Sequence, residues 1–415
     1  MGSNAANGDE RQPQTSPTFV GVVDAILATI QGESGDRVSP LHRDSPLAAS
    51  CDPMSVVPFL LDMSPAQLLE GTEHDLDALL SASARTRLLH GAATLGLPAR
   101  TVCLECRLND DERVDLALCL ATHTVGLGSA LQSLGRRYAS DPHWQRCIHL
   151  LASWANGEEK TLAGVPFLFT AFDLATAVSD MPVPCLSLCT DPAFFMRRLG
   201  LPMPRAPLDS PLQVLDACQT SLDADWVTPS LRGRAAQLLQ SADDIEVRQL
   251  SLMLARQPPT LKLDLTLPAG DLGRFLHALG WQADAADVVD QLRTLAPWQK
   301  RVQLNCVVDS SAQQLPIEAE LCCTGPDEPN YEQRAVLLER LWSAGIANVA
   351  KTEALLALLR RPVVTDSKGQ WMARNWYIKL RFVAGRVESA KAYIGLMQRS
   401  SRPSPQQPAQ QPNSH

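Results

Sequence analysis

The stretch WYIKLRFVAGRVESAKAYIGL, residues 376–396, alternates apolar and polar residues, breaks at Gly385 and resumes. Its polar positions include Tyr377, Lys379 and Arg381, then Lys391 and Tyr393. Successive side chains of a strand face opposite sides, so these cations and phenols share one face of a hairpin. Cations gathered in this way could stabilise negative charge as it develops on a bound molecule. Carboxylates reaching the same space could take up or release protons. Which chemistry is open depends on what stands beside the hairpin.

Four more strand pairs precede it. CLECRL and RVDLALCL flank the turn-like NDDE, and FLFTAFDL is followed by PCLSLCT. IEVRQLSLMLAR and LKLDLTLP are split by Gln257-Pro258-Pro259, and RVQLNCVVD is followed by PIEAELCC. Each alternates with period 2, the mark of a strand with one buried face. Between the pairs the period turns helical, as in HWQRCIHLLASWANG, SPLQVLDACQTSL, DAADVVDQLRTLAPW and YEQRAVLLERLWSAG. Ser64-Pro65 and Ser210-Pro211 read as capping serines before a first-turn proline. Gly280 and Gly345 stand at expected helix ends.

The sum is two helices then two strands, five times over. The expected fold is α/β, an antiparallel ten-stranded β-barrel surrounded by helices in five α-α-β-β repeats. An open sheet with helices on one face and water on the other would give the same alternation. Closure removes the sheet edges and uses all ten helices as cover, which favours the barrel. The apolar strand faces then meet the helices and the other faces line a lumen, wide enough in a ten-stranded barrel for a ligand. The inward set is Glu105, Arg107, Asp115 and Cys119, then Phe169, Ala171, Asp173 and Ser187. The third pair adds Gln249, Ser251, Met253, Lys262, Asp264 and Thr266. The fourth adds Arg301, Gln303, Asn305, Glu318 and Glu320, and the hairpin completes the ring.

Bulk properties narrow the function. The chain has 415 residues, 45% of them hydrophobic and 20% charged, as expected of a protein with a packed core. A net charge of -8 argues against nucleic-acid or anionic-membrane binding driven by overall charge. No apolar run approaches a membrane span and the N-terminal stretch is polar, so a cytoplasmic protein with buried thiols is expected. We expect a disordered segment over residues 1–18, a single repeat-barrel domain over 19–399, and a disordered Pro/Gln-rich tail over 400–415.

Other motifs carry less. NDDERVD has aspartates, but in a hairpin turn rather than on one helical face, and CLEC lacks a second ligand pair for zinc. HWQRCIH lacks the i,i+4 histidine spacing of a metal site. No metal site is therefore expected.

The architecture over about residues 60–398 resembles the aromatic prenyltransferase barrel family, the ABBA or PT-barrel fold. The likeness lies in the five α-α-β-β units and not in any short motif. It implies an enzyme of secondary metabolism that moves a prenyl group from an allylic diphosphate to an aromatic acceptor, a small molecule or peptide, in the lumen. It implies Glu105 as the catalytic base beside the acceptor. Arg107, Lys262, Arg301, Tyr377, Lys379, Arg381, Lys391 and Tyr393 would hold the diphosphate, with Lys391-x-Tyr393 matching the family's Lys-x-Tyr spacing. Phe169, Asp173, Met253, Gln303 and Glu318 would form the acceptor pocket. No cofactor is required, and Mg2+ is admitted but not essential. Such enzymes shield the allylic cation with tyrosines; this chain has 4 Tyr, so Trp376 and Phe169 are the other candidates. Two alternatives remain open: a cyclase or peptide-tailoring enzyme using lumen carboxylates such as Asp173 and Glu318, and a non-catalytic small-molecule-binding barrel.

Overall fold

The computed structural model describes residues 64–399 apart from 71–75, 111, 123, 175–180, 192–209, 223–226, 255–259, 282–283, 309–315, 322–329, 361–362 and 366–370. The expected N-terminal segment and Pro/Gln-rich tail lie outside these residues.

Among the described residues eleven strands form one antiparallel sheet. They are β1 (Thr101–Arg107), β2 (Val114–Ala121), β3 (Phe167–Asp173), β4 (Cys185–Cys189), β5 (Glu246–Met253) and β6 (Thr260–Pro268). The rest are β7 (Arg301–Val308), β8 (Ile317–Leu321), β9 (Val363–Thr365), β10 (Trp371–Val383) and β11 (Arg386–Arg399). Neighbours run in chain order from β1 to β8, then β10, and β11 pairs with both β10 and β1. That last pairing closes a ten-stranded barrel and leaves the ring without an edge. The eleventh strand, β9, was not expected; it pairs with residues 371–373 at the start of β10 and stands outside the ring.

Helices precede each strand pair. They are α1 (Pro65–Glu70) and α2 (Ala82–Leu95), α3 (Leu127–Arg137), α4 (Pro142–Asn156) and the one-turn α5 (Lys160–Ala163), then α6 (Pro211–Leu222) and α7 (Pro229–Leu239). After them come α8 (Leu272–Leu279), α9 (Ala285–Leu295), α10 (Tyr331–Ser343) and α11 (Val349–Arg360). Local chemistry sets their ends. Ser210 and Gln213 cap α6 reciprocally: the Gln213 amide donates to Ser210 Oγ at 3.3 Å and the Ser210 amide to Gln213 Oε1 at 2.7 Å. Asn330 and Gln333 do the same for α10.

The main core lies between the outer barrel face and these helices. Leu104, Leu116, Leu118, Leu186, Leu263, Ile378 and Leu380 meet Trp144, Leu150, Phe275 and Leu338 there. Burial of each such side chain contributes about 1.5–3 kcal/mol before the entropy of ordering is set against it. Three tryptophans at this interface have partnered N–H groups: Trp144 donates to the Met181 carbonyl, Trp154 to Val165 and Trp376 to Leu355.

The hairpin of β10 and β11 turns on Ala384-Gly385, with φ of 46° and 73° and the pair Val383–Arg386 closing the loop. Two positive φ angles define a type I′ turn, whose twist matches that of the flanking strands. Among the described residues no helix is long and apolar enough to cross a membrane.

Candidate functional site

Strand alternation builds the lumen. A cavity of about 540 Å³ lies inside the barrel, lined by residues from all ten ring strands. Every residue expected as the base, in the diphosphate site or in the acceptor pocket lines it except Arg301. Arg301 sits at the first position of β7, where its guanidinium is held by Asp244, 2.6 Å away, and Glu246, 3.5 Å away. Placement at the strand end turns it to the rim carboxylates instead of the lumen. Thr266, one position further along β6 from Asp264 in the same alternation, also lies beyond the lining.

Register arranges the inward side chains in rows. Asp173, Asp115, Glu105, Tyr393 and Tyr377 are successive cross-strand partners on β3, β2, β1, β11 and β10. Three carboxyl groups thus run directly into two phenols. Tyr377 and Tyr393 stack with centroids 4.7 Å apart and planes 11° from parallel. The Lys379 ammonium stands 4.3 Å from the Tyr393 centroid, a cation–π contact. The next row is Arg107, Lys391, Lys379, Glu320 and Gln303. Lysines from adjacent strands are therefore direct neighbours, which only a dense set of carboxylates makes tolerable.

Those carboxylates are present. Lys391 Nζ lies 2.6 Å from Glu105 and 2.8 Å from Glu318. Lys262 Nζ is 3.1 Å from the other Glu318 oxygen, and Lys379 Nζ is 2.7 Å from Glu320. Arg248 donates to Asp264 at 2.5 Å and to Glu320 at 3.4 Å, and Asn305 donates to Glu320 at 2.6 Å. Arg381 lines the cavity but its Nε is 2.7 Å from the exposed Glu388. Burial on its own would neutralise Glu318 and Glu320. The lysines around Glu318 outweigh burial and hold it well below the usual carboxylate range; Lys379 and Arg248 lower Glu320 in the same way. Lys262 and Lys391 are raised, since the attraction of Glu318 and Glu105 exceeds the burial that opposes charge.

Asp115 behaves differently. Burial, then the neighbouring Glu105 and Asp173, push its carboxyl up to about 9. This favours the neutral acid at pH 7, with a hydrogen bond to Glu105 adding to the shift. Asp264 is pushed up to about 6 by burial, which the Arg248 guanidinium only partly offsets.

Much of the remaining lining is small or apolar. Cys185, Ala171, Ala117, Cys103 and Gly395 are successive cross-strand partners and leave room beside the acidic row. Phe167, Cys119, Ala121 and Cys189 form a separate apolar cluster, with Phe169 packed against it. Met253 and Gln303 also face the cavity.

Two more residues correct the sequence reading. Trp376 does not line the lumen; it is buried against α11 with Arg334 stacked 5.0 Å over its ring. Its position one residue before the inward Tyr377 obliges it to face the helices. Arg248 is the opposite case, a lumen cation that alternation alone assigns outward. A β-bulge between Val247 and Gln249 inserts it into β5 and aims its side chain inward. The signal was in the spacing: the outward apolar residues step by two from Leu250 to Leu252 and Leu254, but by three from Val247 to Leu250.

In outline the chain is similar to dimethylallyltryptophan synthases. The 6-dimethylallyltryptophan synthase from Micromonospora olivasterospora, solved in complex with DMASPP and Trp, aligns at 12% identity with a TM-score of 0.47. That alignment covers 80% of this chain and 97% of the other. The 5-dimethylallyl tryptophan synthase from Streptomyces coelicolor, in complex with the same molecules, aligns at 13% identity with a TM-score of 0.46, over 81% and 95% of the two chains. No protein-family model and no curated protein matches the chain.

Proposed function

We propose that this protein is an aromatic prenyltransferase of secondary metabolism, moving a prenyl group from an allylic diphosphate to an indole or phenol in the barrel lumen. The observation that carries the reading is one adjacency. Glu105 on β1 stands between a cationic wall on β10 and β11 and a small-residue wall on β2 and β3. Lys262, Lys379 and Lys391, with Arg107 and Arg381 nearby, would take the diphosphate; the phenols Tyr377 and Tyr393 would add hydrogen bonds and π surface. The allylic C–O bond breaks and its electron pair leaves on the diphosphate, where cations stabilise it. The acceptor ring supplies the pair that forms the new C–C bond. Glu105 then takes the proton from the ring carbon. Phe169, Met253, Gln303 and Asp173 would bound the acceptor.

The reading needs no resident metal; Mg2+ could accompany the diphosphate as part of the substrate. A reducing cytoplasmic setting suits thiols such as Cys306, which burial pushes up to about 12. The test is turnover of purified protein with allylic diphosphates against indole and phenol acceptors, followed by mass spectrometry. Prenylated product is expected, with kcat lowered about 10²–10⁴-fold by Glu105→Gln. Absence of product across both acceptor classes rejects the reading.

The ion-pair belt favours a second reading, a binding barrel without chemistry. Lys262, Lys379, Lys391 and Arg248 are already neutralised by carboxylates, so an uncharged aromatic ligand would fit without disturbing them. Tight binding of such ligands with no affinity for diphosphate would favour it.

A further inference from the structure

Glu318 projects from β8 to the point where two lysines from different parts of the barrel converge. One of its oxygens is 2.8 Å from Lys391 Nζ on β11, and the other is 3.1 Å from Lys262 Nζ on β6. Its direct cross-strand neighbours are Arg381 on β10 and Asn305 on β7. The side chain is 12% exposed, so little water shares the work of holding it. Two oxygens of one anion, each on a separate ammonium, is how a phosphate group would sit in the same place. Without that carboxylate the ligand-free lumen would carry buried ammonium groups with too few counter-charges, a costly state.

We propose that Glu318 is a resident anion, occupying between Lys262 and Lys391 the position that a diphosphate takes when it binds. The inference rests on the diphosphate reading above and specifies where in the lumen that group goes. A ligand must displace the carboxylate, so the site selects by charge. A monoanion gains nothing by exchanging with Glu318, whereas a diphosphate brings more negative charge and more acceptor oxygens to the same two lysines. Arg381, the cross-strand partner of Glu318 on β10, also lines the cavity, and its guanidinium could receive the displaced carboxylate by exchanging its contact with Glu388. Glu318 is thus a specificity-determining residue for the leaving group, and it preserves the empty barrel until substrate arrives.

Isothermal titration with inorganic pyrophosphate and with inorganic phosphate tests this on the full chain, its Glu318→Gln variant and its Glu318→Asp variant. Glu318→Gln removes the competing charge. Glu318→Asp keeps the charge but draws it back by one methylene, and carries the test where the glutamine variant does not fold. The wild type is expected to bind pyrophosphate in preference to phosphate. Glu318→Gln should bind pyrophosphate about tenfold more tightly, a change of about 1.4 kcal/mol, and phosphate more tightly still, so that the preference narrows. Glu318→Asp should move in the same direction by less. Wild-type binding that the folded variants match or weaken overturns the inference alone. No pyrophosphate binding by any of the three overturns the diphosphate reading and this inference with it.

Discussion

Lys391 Nζ lies 2.6 Å from the Glu105 carboxylate, so the cationic wall of the lumen and its expected base are in direct contact. The two residues come from the last and first strands of the ring and meet only because β11 pairs with β1. The same lysine also holds Glu318, which makes it the link between the acidic and cationic sectors.

Lys391→Met removes that link and leaves buried carboxylates short of a partner. Breaking one member of a buried ion pair costs about 3–5 kcal/mol. We expect a loss of that order in denaturant-derived stability. The double variant Lys391→Met with Glu105→Gln should recover part of it, as a double-mutant cycle will show.

The buried acids set a pH dependence with two signs. Asp115 and Asp264 are raised above their ordinary value, to about 9 and about 6. The folded state therefore binds more protons than the unfolded state between pH 4 and those values, and stability falls as pH rises through that window. Glu318 and Glu320 are lowered, so their contribution is present above pH 4.5 and is lost as pH falls below it. Asp115→Asn should flatten the decline between pH 5 and pH 8, measured by denaturation at several pH values. An unchanged slope would show that Asp115 is ionised.

Gly385→Ala should destabilise the hairpin by about 2 kcal/mol, because an L-residue resists the left-handed conformation. The φ there is 73°, and an added Cβ would stand 2.8 Å from Asp284 Cβ. Gly96→Ala provides the comparison: its φ is 57° with no atom near the added Cβ, so it should cost less.

Ala117→Leu should fill the small-residue wall between Cys103 and Ala171 without disturbing the outer core. Displacement of a bound acceptor by about 1 Å costs on the order of 10² in rate. Turnover should fall by that order while the thermal unfolding midpoint stays near the wild-type value. A large loss of stability would instead mean that the wall has no spare room.

Local sequence determined a good deal of this protein. Period-2 alternation placed Glu105, Lys262, Glu318, Lys379 and Lys391 on inward faces, because a strand offers its side chains only two directions. Helical periods and capping residues such as Ser210 marked the elements that cover the barrel. The tertiary structure alone decided three things. Closure depends on β1 meeting β11, nearly three hundred residues apart in the chain, and no local pattern distinguishes it from an open sheet. Alternation reads Arg301 as a lumen cation, but its place at a strand end hands it to Asp244 and Glu246, at the start of β5. The pairing of each lumen lysine with a carboxylate is likewise a matter of register between distant strands. Sequence names the charges that enter the lumen; only packing in three dimensions, where Coulomb attraction acts over a few ångströms, decides which of them meet.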